Sequence, residues 1–474
     1  MPDSLQAYEE RRRRLLNQLL EEFRKRFPAS ARTHKDAASR LVDGVSHALR
    51  MYDPFPVWVK GSHGAYLYDL DDHAILDFWQ GHFANILGHN PPMITEALAR
   101  ALQDGHGLQC GVQDAWEYEL AELLCRQIGA EKIRFTTSGT LATMYSIMLS
   151  RAYTGRDLVL KVGGGWHGAQ PWGLKGVGFG QAGYQGNDTE GVTGSVLQEV
   201  LITSFNNVEA LEDVFRRHGD GLACFIVEPW LGSGGEMAAT PEFLRRAREL
   251  TAQHGAVLIL DEVIAGFRFH AGTLGALYGV QPDLTTMGKI IGGGMPVSAV
   301  AGRADIMKLC GREGGRRVRF EGGTYSGHPL SMLAGRVMIQ YLVDHEQEVY
   351  PCLATMGERL RQMVQRAFDD EGVLVHCGGN PSSVMPGSSI ATLDFPYRRD
   401  TSLCTAEAVN DPALCDVQLR ERVVKLAFLL EDVFVAHGLG ALSAAHTEQD
   451  LTKVAVAAGA VARRLKAAGL GEPH

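Results

Sequence analysis

Two rhythms of apolar and polar residues alternate along the chain. From Tyr66 the run YLYDLDDHAILDF alternates residue by residue around Asp71-Asp72, the pattern of a β-hairpin, in which side chains point to opposite faces at each step. After it, apolar positions three and four apart predict amphipathic helices over Met93 to Gln103 and Trp116 to Ile128. Between and beyond these come short, mostly apolar runs at Lys132 to Phe135, Asp157 to Lys161, Ala223 to Val227, Ala256 to Leu260 and Val297 to Ala301, the signature of strands buried on both faces. Such alternation implies an α/β fold, a mostly parallel central sheet with helices on both faces, and ligands in such sheets sit at the carboxyl ends of the strands. Past Ser331 a helical stretch runs to Leu342, and a Gly-, Pro- and Ser-rich loop, Gly378 to Ser389, interrupts the remainder. Near the start, Leu15, Leu16, Leu19, Leu20 and Phe23 recur at helical spacing beside Arg11 to Arg14 and four glutamates. That is an amphipathic helix for packing within the chain or a dimer, not an acid-poor leader.

At 474 residues the chain exceeds one ordinary core. The expected division is a large domain over 85–345 and a smaller α+β domain assembled from the two ends, 1–84 and 346–474. The net charge of −9 argues against nucleic acid as a partner, because phosphate binding needs a concentrated positive field. No apolar run approaches the length of a membrane span. Eight scattered cysteines without CxxC pairs read as free thiols of a cytoplasmic protein, and the histidines lack metal-ligand spacing.

Three segments carry candidate chemistry. The run Ala256-Val-Leu-Ile-Leu-Asp261-Glu262 ends a buried strand in adjacent carboxylates, so at least one acid reaches the ligand edge of the sheet; a helix cap after the strand is the plain alternative. In Gly288-Lys289-Ile-Ile-Gly292-Gly293-Gly294 a lysine sits among apolar residues and glycines, surroundings that disfavour its charged form and suit a Schiff-base amine. A surface lysine before a turn is the alternative; a P-loop is not, since the upstream glycine and the following Ser or Thr are missing. Phe135-Thr-Thr-Ser138-Gly139-Thr140 runs from a strand through small residues into a helix, which makes either an anion site or a simple N-cap.

Taken in order, LILDEVIAGFR, GKIIGGGMP and GGTYSGHP resemble the class III aminotransferases of the fold-type I pyridoxal-5′-phosphate (PLP) enzymes, within them the glutamate-1-semialdehyde aminomutase branch, from about Gly44 to Asp450. The resemblance implies that Lys289 carries PLP and moves the substrate proton, that Asp261 pairs with the pyridine nitrogen, and that Val263 packs on one ring face. It further implies that Ser138, Gly139 and Thr140 hold the phosphate, that Trp166 and His167 of Trp166-His167-Gly168 bind the cofactor, the Trp166 ring stacking on it, and that Glu228 supports its hydrogen-bond network. Thr324 would reach the phosphate of a second subunit, making a homodimer with shared sites. Arg50, in GVSHALR, would bind a substrate carboxylate, with Arg268 the next candidate. Departures from the pattern are Leu141 after SGT, Ser233 near the PLP hydroxyl, His328 for Asn, and a different loop after Gly168. At His437-Gly438-Leu-Gly440 a carboxylate expected to face the substrate's amino groups is missing. The implied function is a ping-pong aminotransferase acting on a small-molecule amino donor, an α- or β-amino acid, and a carbonyl acceptor, a keto acid or aldehyde. The alternative is a 2,1-aminomutase and, more remotely, a non-catalytic scaffold of the same fold.

Overall fold

The computed structural model describes residues 2–313, 315 and 317–471. The first helix, Pro2–Arg26, buries Leu15, Leu19 and Phe23 and packs against the C-terminal helix Lys425–Leu430. The apolar stripe of the N-terminal segment is therefore used within the chain. Strands β1 (Val59–His63), β2 (Tyr66–Asp69) and β3 (Ala74–Asp77) form an antiparallel meander. Its tight turn is held by Asp69, whose Oδ1 accepts from the N–H groups of Asp71 (3.0 Å) and His73 (2.7 Å).

The large sheet is built from β4 (Lys132–Thr136), β5 (Leu158–Val162), β6 (Val200–Thr203) and β7 (Leu222–Val227). After a short ribbon of β8 (Trp230–Leu231) and β9 (Met237–Ala238) come β10 (Val257–Asp261), β11 (Leu284–Met287) and β12 (Ser298–Gly302). The seven strands lie in the order β4-β12-β11-β10-β7-β5-β6. Every residue of β7 and β10 is buried, as parallel strands covered on both faces require. One strand departs from the parallel expectation: β12 runs antiparallel to both β11 and β4. The reason is chain length. Residues 288–297 give too short a link for a crossover, which takes roughly a dozen residues or more.

The C-terminal part adds β13 (His376–Gly378), β14 (Ile390–Asp394), β15 (Val433–Phe434) and β16 (Gly440–Ala441). β15 pairs in parallel with β3, so the two ends of the chain share one sheet. Helices Glu346–Glu371 and Glu448–Ala467 pack together through Leu360, Val364 and Phe368 on one side and Val454, Ala458 and Val461 on the other. Among the described residues no helix is long and apolar enough to cross a membrane.

Candidate active site

The ends of β4, β5, β7, β10 and β11 open on one edge of the large sheet, and a cavity of about 440 Å³ lies there. Its floor is Asp261, the last residue of β10, and both carboxylate oxygens are held: Oδ2 lies 2.8 Å from His167 Nδ1, and Oδ1 accepts from Thr286 Oγ1 at 2.9 Å and the Val263 N–H at 3.2 Å. Thr286 is delivered by the register of β10 against β11, where it is the direct partner of Asp261. The neighbouring Glu262 turns away and accepts from the N–H groups of Leu274 (2.9 Å) and Gly275 (2.7 Å), so the two adjacent acids divide into one that faces the cavity and one that caps the short helix Leu274–Leu277. Burial pushes Glu262 up to about 7, the two backbone donors working against it.

Opposite Asp261, the helix Gly139–Thr154 begins at the cavity wall. Ser138 is its N-cap, its Oγ accepting from the Leu141 N–H at 3.4 Å. The N–H groups of Gly139 and Thr140, at the first two helical positions, have no intrahelical acceptor. A Cβ at Gly139 would sit 3.2 Å from a Val263 methyl, so glycine here lets the phosphate-type loop and the side chain of Val263 close on one another. Gly168, at φ +79°, meets Thr140 in the same way: a Cβ would lie 2.5 Å from its Cα. The strand-to-helix turn and the Trp166–Gly168 loop are thereby packed backbone against backbone, and Thr143 Oγ1 donates to the His167 carbonyl at 2.6 Å.

Trp166 lines the cavity, and its indole has no aromatic partner among the described residues. Glu228, at the end of β7, fixes this loop by accepting from the Trp166 N–H at 2.9 Å and the Gly232 N–H at 3.2 Å. Burial and the charge of Asp261 push Glu228 up to about 8. A buried lysine in β5 that motif reading missed does the same from behind: Lys161 Nζ donates to the carbonyls of Gly165 (2.8 Å), Gly173 (2.9 Å) and Lys175 (2.8 Å).

Lys289 follows β11 directly and holds φ at +50°, a left-handed conformation that is strained for a residue with a side chain. Burial lowers its pKa, with Asp261 and Glu228 pulling the other way. Its side chain lines both this cavity and a second one of about 320 Å³, and Trp166 and Ile264 are shared in the same way. The lining of the first cavity could hold PLP: a carboxylate for the pyridine nitrogen, a valine and an unpartnered indole for a flat ring, and a helix N-terminus with three hydroxyls for a phosphate.

The second cavity brings together Arg50, Trp79, His82, Ser233, Glu236, Glu421, Lys425 and His437. Arg50 is exposed, and its side chain makes no hydrogen bond or ion pair among the described residues. Arg268 is buried instead, donating to the carbonyls of Phe83 and Ile264, so the structure removes it as an alternative carboxylate ligand. Two carboxylates that sequence reading did not anticipate line this cavity, each engaged through one oxygen. Glu236 accepts from Trp230 Nε1 at 2.9 Å; Glu421 accepts from Arg420 Nε at 2.8 Å and lies 3.8 Å from His437 Nδ1. Burial alone would raise Glu421, yet His437 and Arg420 together bring it down to about 2. Thr324 belongs to neither cavity: it lines a third, with Glu117, Arg134 and His328.

The model of the family described as "Aminotransferase class-III" matches residues 48–376. A glutamate-1-semialdehyde 2,1-aminomutase from Thermomicrobium roseum is 37% identical over 367 residues, covering 77% of this chain and 82% of that protein. Among solved structures, an omega-transaminase from Sphaerobacter thermophilus is 31% identical with a TM-score of 0.81, over 92% of this chain and 97% of that one. A β-phenylalanine aminotransferase from Variovorax paradoxus is 29% identical with a TM-score of 0.84, over 97% and 99%.

Proposed function

The chain belongs to the class-III aminotransferases and is a PLP-dependent enzyme, and from that premise we propose that it transfers an amino group between two molecules, from an α- or β-amino acid to a keto acid or aldehyde, rather than within one. When bound, PLP supplies the electron sink that weakens a bond at the amino-bearing carbon and stores the amino group between half-reactions. The chain's residues do the rest. Lys289 carries the cofactor and, once free, its Nζ takes and returns the substrate proton; a lowered pKa keeps that amine available as a base. Asp261 holds the pyridine proton, with His167 and Thr286 fixing its carboxylate. Val263 and Trp166 confine the ring, Glu228 supports the Trp166 loop, and Ser138, Gly139 and Thr140 take the phosphate. Arg50 takes a substrate carboxylate.

The observation that carries transfer over isomerisation is the state of the second cavity's acids. A mutase must hold two amino positions of one skeleton in turn, and each acid of that cavity is turned to a neighbour through one oxygen, Glu236 Oε2 to Trp230 and Glu421 Oε1 to Arg420 and His437. The likeness to the omega-transaminase and the β-phenylalanine aminotransferase over nearly the whole chain supports the same reading. A second reading, the 2,1-aminomutase, is favoured by the 37% identity to the Thermomicrobium roseum enzyme. An amino-donor panel against pyruvate and 2-oxoglutarate decides between them. Keto product identified by mass from at least one donor is expected; isomerised glutamate-1-semialdehyde with no intermolecular transfer would overturn the proposal.

The same reading includes a homodimer in a reducing, cytoplasmic setting. Val112, 62% exposed in the single chain, lines the cavity that contains Thr324, Leu108 and Tyr325 of the adjoining segments are 72% and 60% exposed, and the described cysteines are all free. A mixture of inactive Lys289→Ala and Thr324→Ala chains is expected to regain part of the activity, whereas full activity in a demonstrated monomer would contradict the shared site.

A further inference from the structure

The cations of the second cavity differ in one respect that amino transfer by itself does not explain. Arg420 is fully engaged, donating to Asp394 (2.6 Å), Glu421 (2.8 Å) and the side-chain oxygen of Asn410 (2.9 Å). Lys425 is not. Its ammonium makes no hydrogen bond or ion pair among the described residues and rests against aromatic rings: Nζ lies 4.4 Å from the Tyr52 centroid, 5.5 Å from Trp79 and 5.6 Å from Phe434. Ring faces attract a cation but accept its N–H groups poorly, so a partly buried ammonium keeps three strong donors without a strong acceptor. Burial pushes Lys425 down to about 8, with Glu421 opposing, and it stays mostly charged at neutral pH. Glu421 faces Arg420 and His437 through Oε1 and makes no ion pair with Lys425.

We infer, resting on the aminotransferase reading above, that Lys425 is the anchor for a second carboxylate, so that the preferred substrate is an amino dicarboxylic acid. Arg50 takes one carboxylate, Lys425 the other, and the amino-bearing carbon faces Lys289 between them. The rival occupant is an aryl or alkyl side chain, for which Trp79, the one of the three rings that lines the cavity, would be the natural surface. Lys425 already covers that surface. An apolar group brought there would bury the ammonium further and give it no acceptor, whereas a carboxylate gives it charge-assisted hydrogen bonds. Lys425 lies on the helix Lys425–Leu430, which is packed against the first helix, so the anchor is held by a fixed element and not by a loose chain end.

The test is calorimetric binding of two unreactive ligands of equal length, glutarate and pentanoate, to the PLP-loaded enzyme, paired with transfer from glutamate and from 2-aminopentanoate. Glutarate is expected to bind at least about tenfold more tightly than pentanoate, since each charge-assisted contact adds that much or more. Lys425→Met should bring the two within roughly threefold while leaving pentanoate affinity unchanged, and Lys425→Arg should keep part of the preference. Equal affinities in the wild type, or a parallel loss of both ligands in Lys425→Met and Lys425→Gln alike, would overturn the inference. Glutarate-selective binding in an enzyme that moves no amino group from any donor would instead leave it standing and overturn the aminotransferase reading. Transfer from 2-aminopentanoate as fast as from glutamate, with equal affinities, would do the reverse.

Discussion

At the floor of the first cavity both oxygens of Asp261 are taken by His167, Thr286 and the Val263 N–H, and the loop around Trp166 is tied down by Glu228, Lys161 and Thr143. Across Lys289, in the second cavity, Arg50 has no partner and Lys425 has only rings. The first region comes from strand ends of one sheet and their following turns; the second is gathered from residues 47–50, 79–83, 233–236 and 420–438, brought together by the pairing of β15 with β3. Hydrogen bonds among its own residues hold the floor of the first pocket in one geometry, as a site for one fixed guest requires. A pocket with unsatisfied charges has left those charges for the molecules that come and go.

That contrast is sharpest at Lys289. If Lys289 is the covalent tether and proton carrier proposed above, Lys289→Ala should cut turnover by at least roughly 10⁴-fold, because one change removes both. Borohydride should then fix no cofactor to the protein; activity intact with labelling at another lysine would place the chemistry elsewhere. Asp261→Asn should retain PLP yet lose on the order of 10³-fold in turnover, since a neutral amide cannot hold the pyridine proton in a site that excludes other partners. Near-normal turnover would mean that the strand-end acid serves only His167 and Thr286.

On the other side of the comparison the effects should be selective and smaller. Arg50 is exposed in the single chain, so Arg50→Ala should lower kcat/KM for carboxylate donors by about 10- to 100-fold and leave a simple amine donor within roughly threefold. An equal loss for both donors would point to a folding defect, and no loss would move the carboxylate site to another cation of this cavity. The smallest change tests the first region's rigidity: Thr286→Val removes one of three hydrogen bonds to Asp261 and should cost about 1 kcal/mol, or roughly fivefold in kcat with KM nearly unchanged. A loss as large as that of Asp261→Asn would show that Thr286 does more than hold the carboxylate.

The first region was largely legible in the sequence because its residues come in contiguous pieces with a local cause. A buried strand ending in Asp261, a strand running through Ser138-Gly139-Thr140 into a helix, and Lys289 among glycines each declare their position within a few residues. What was not legible depends on register. Nothing beside Thr286 marks it as a partner of Asp261; only the pairing of β10 with β11 makes it one. Lys161 looked like one more residue of an apolar strand, and its three carbonyl acceptors lie on a loop that folds back over it. The second region was barely legible for a stronger reason. Tyr52 and Trp79 stand hundreds of residues from Lys425 and Phe434, and the two pairs meet because the two chain ends share a sheet. The direction of β12 likewise followed from a linker length and not from its own apolar pattern.

In transfer between two molecules the amino group stays with the enzyme while its original skeleton departs. The direct measurement is a single half-reaction: PLP-loaded enzyme mixed with an amino donor and no acceptor, the keto product counted by mass against active sites. The account predicts close to one equivalent of keto acid per site, released once and not again until an acceptor is added. No keto product from any amino acid donor, with glutamate-1-semialdehyde converted to its isomer under the same conditions, would contradict it.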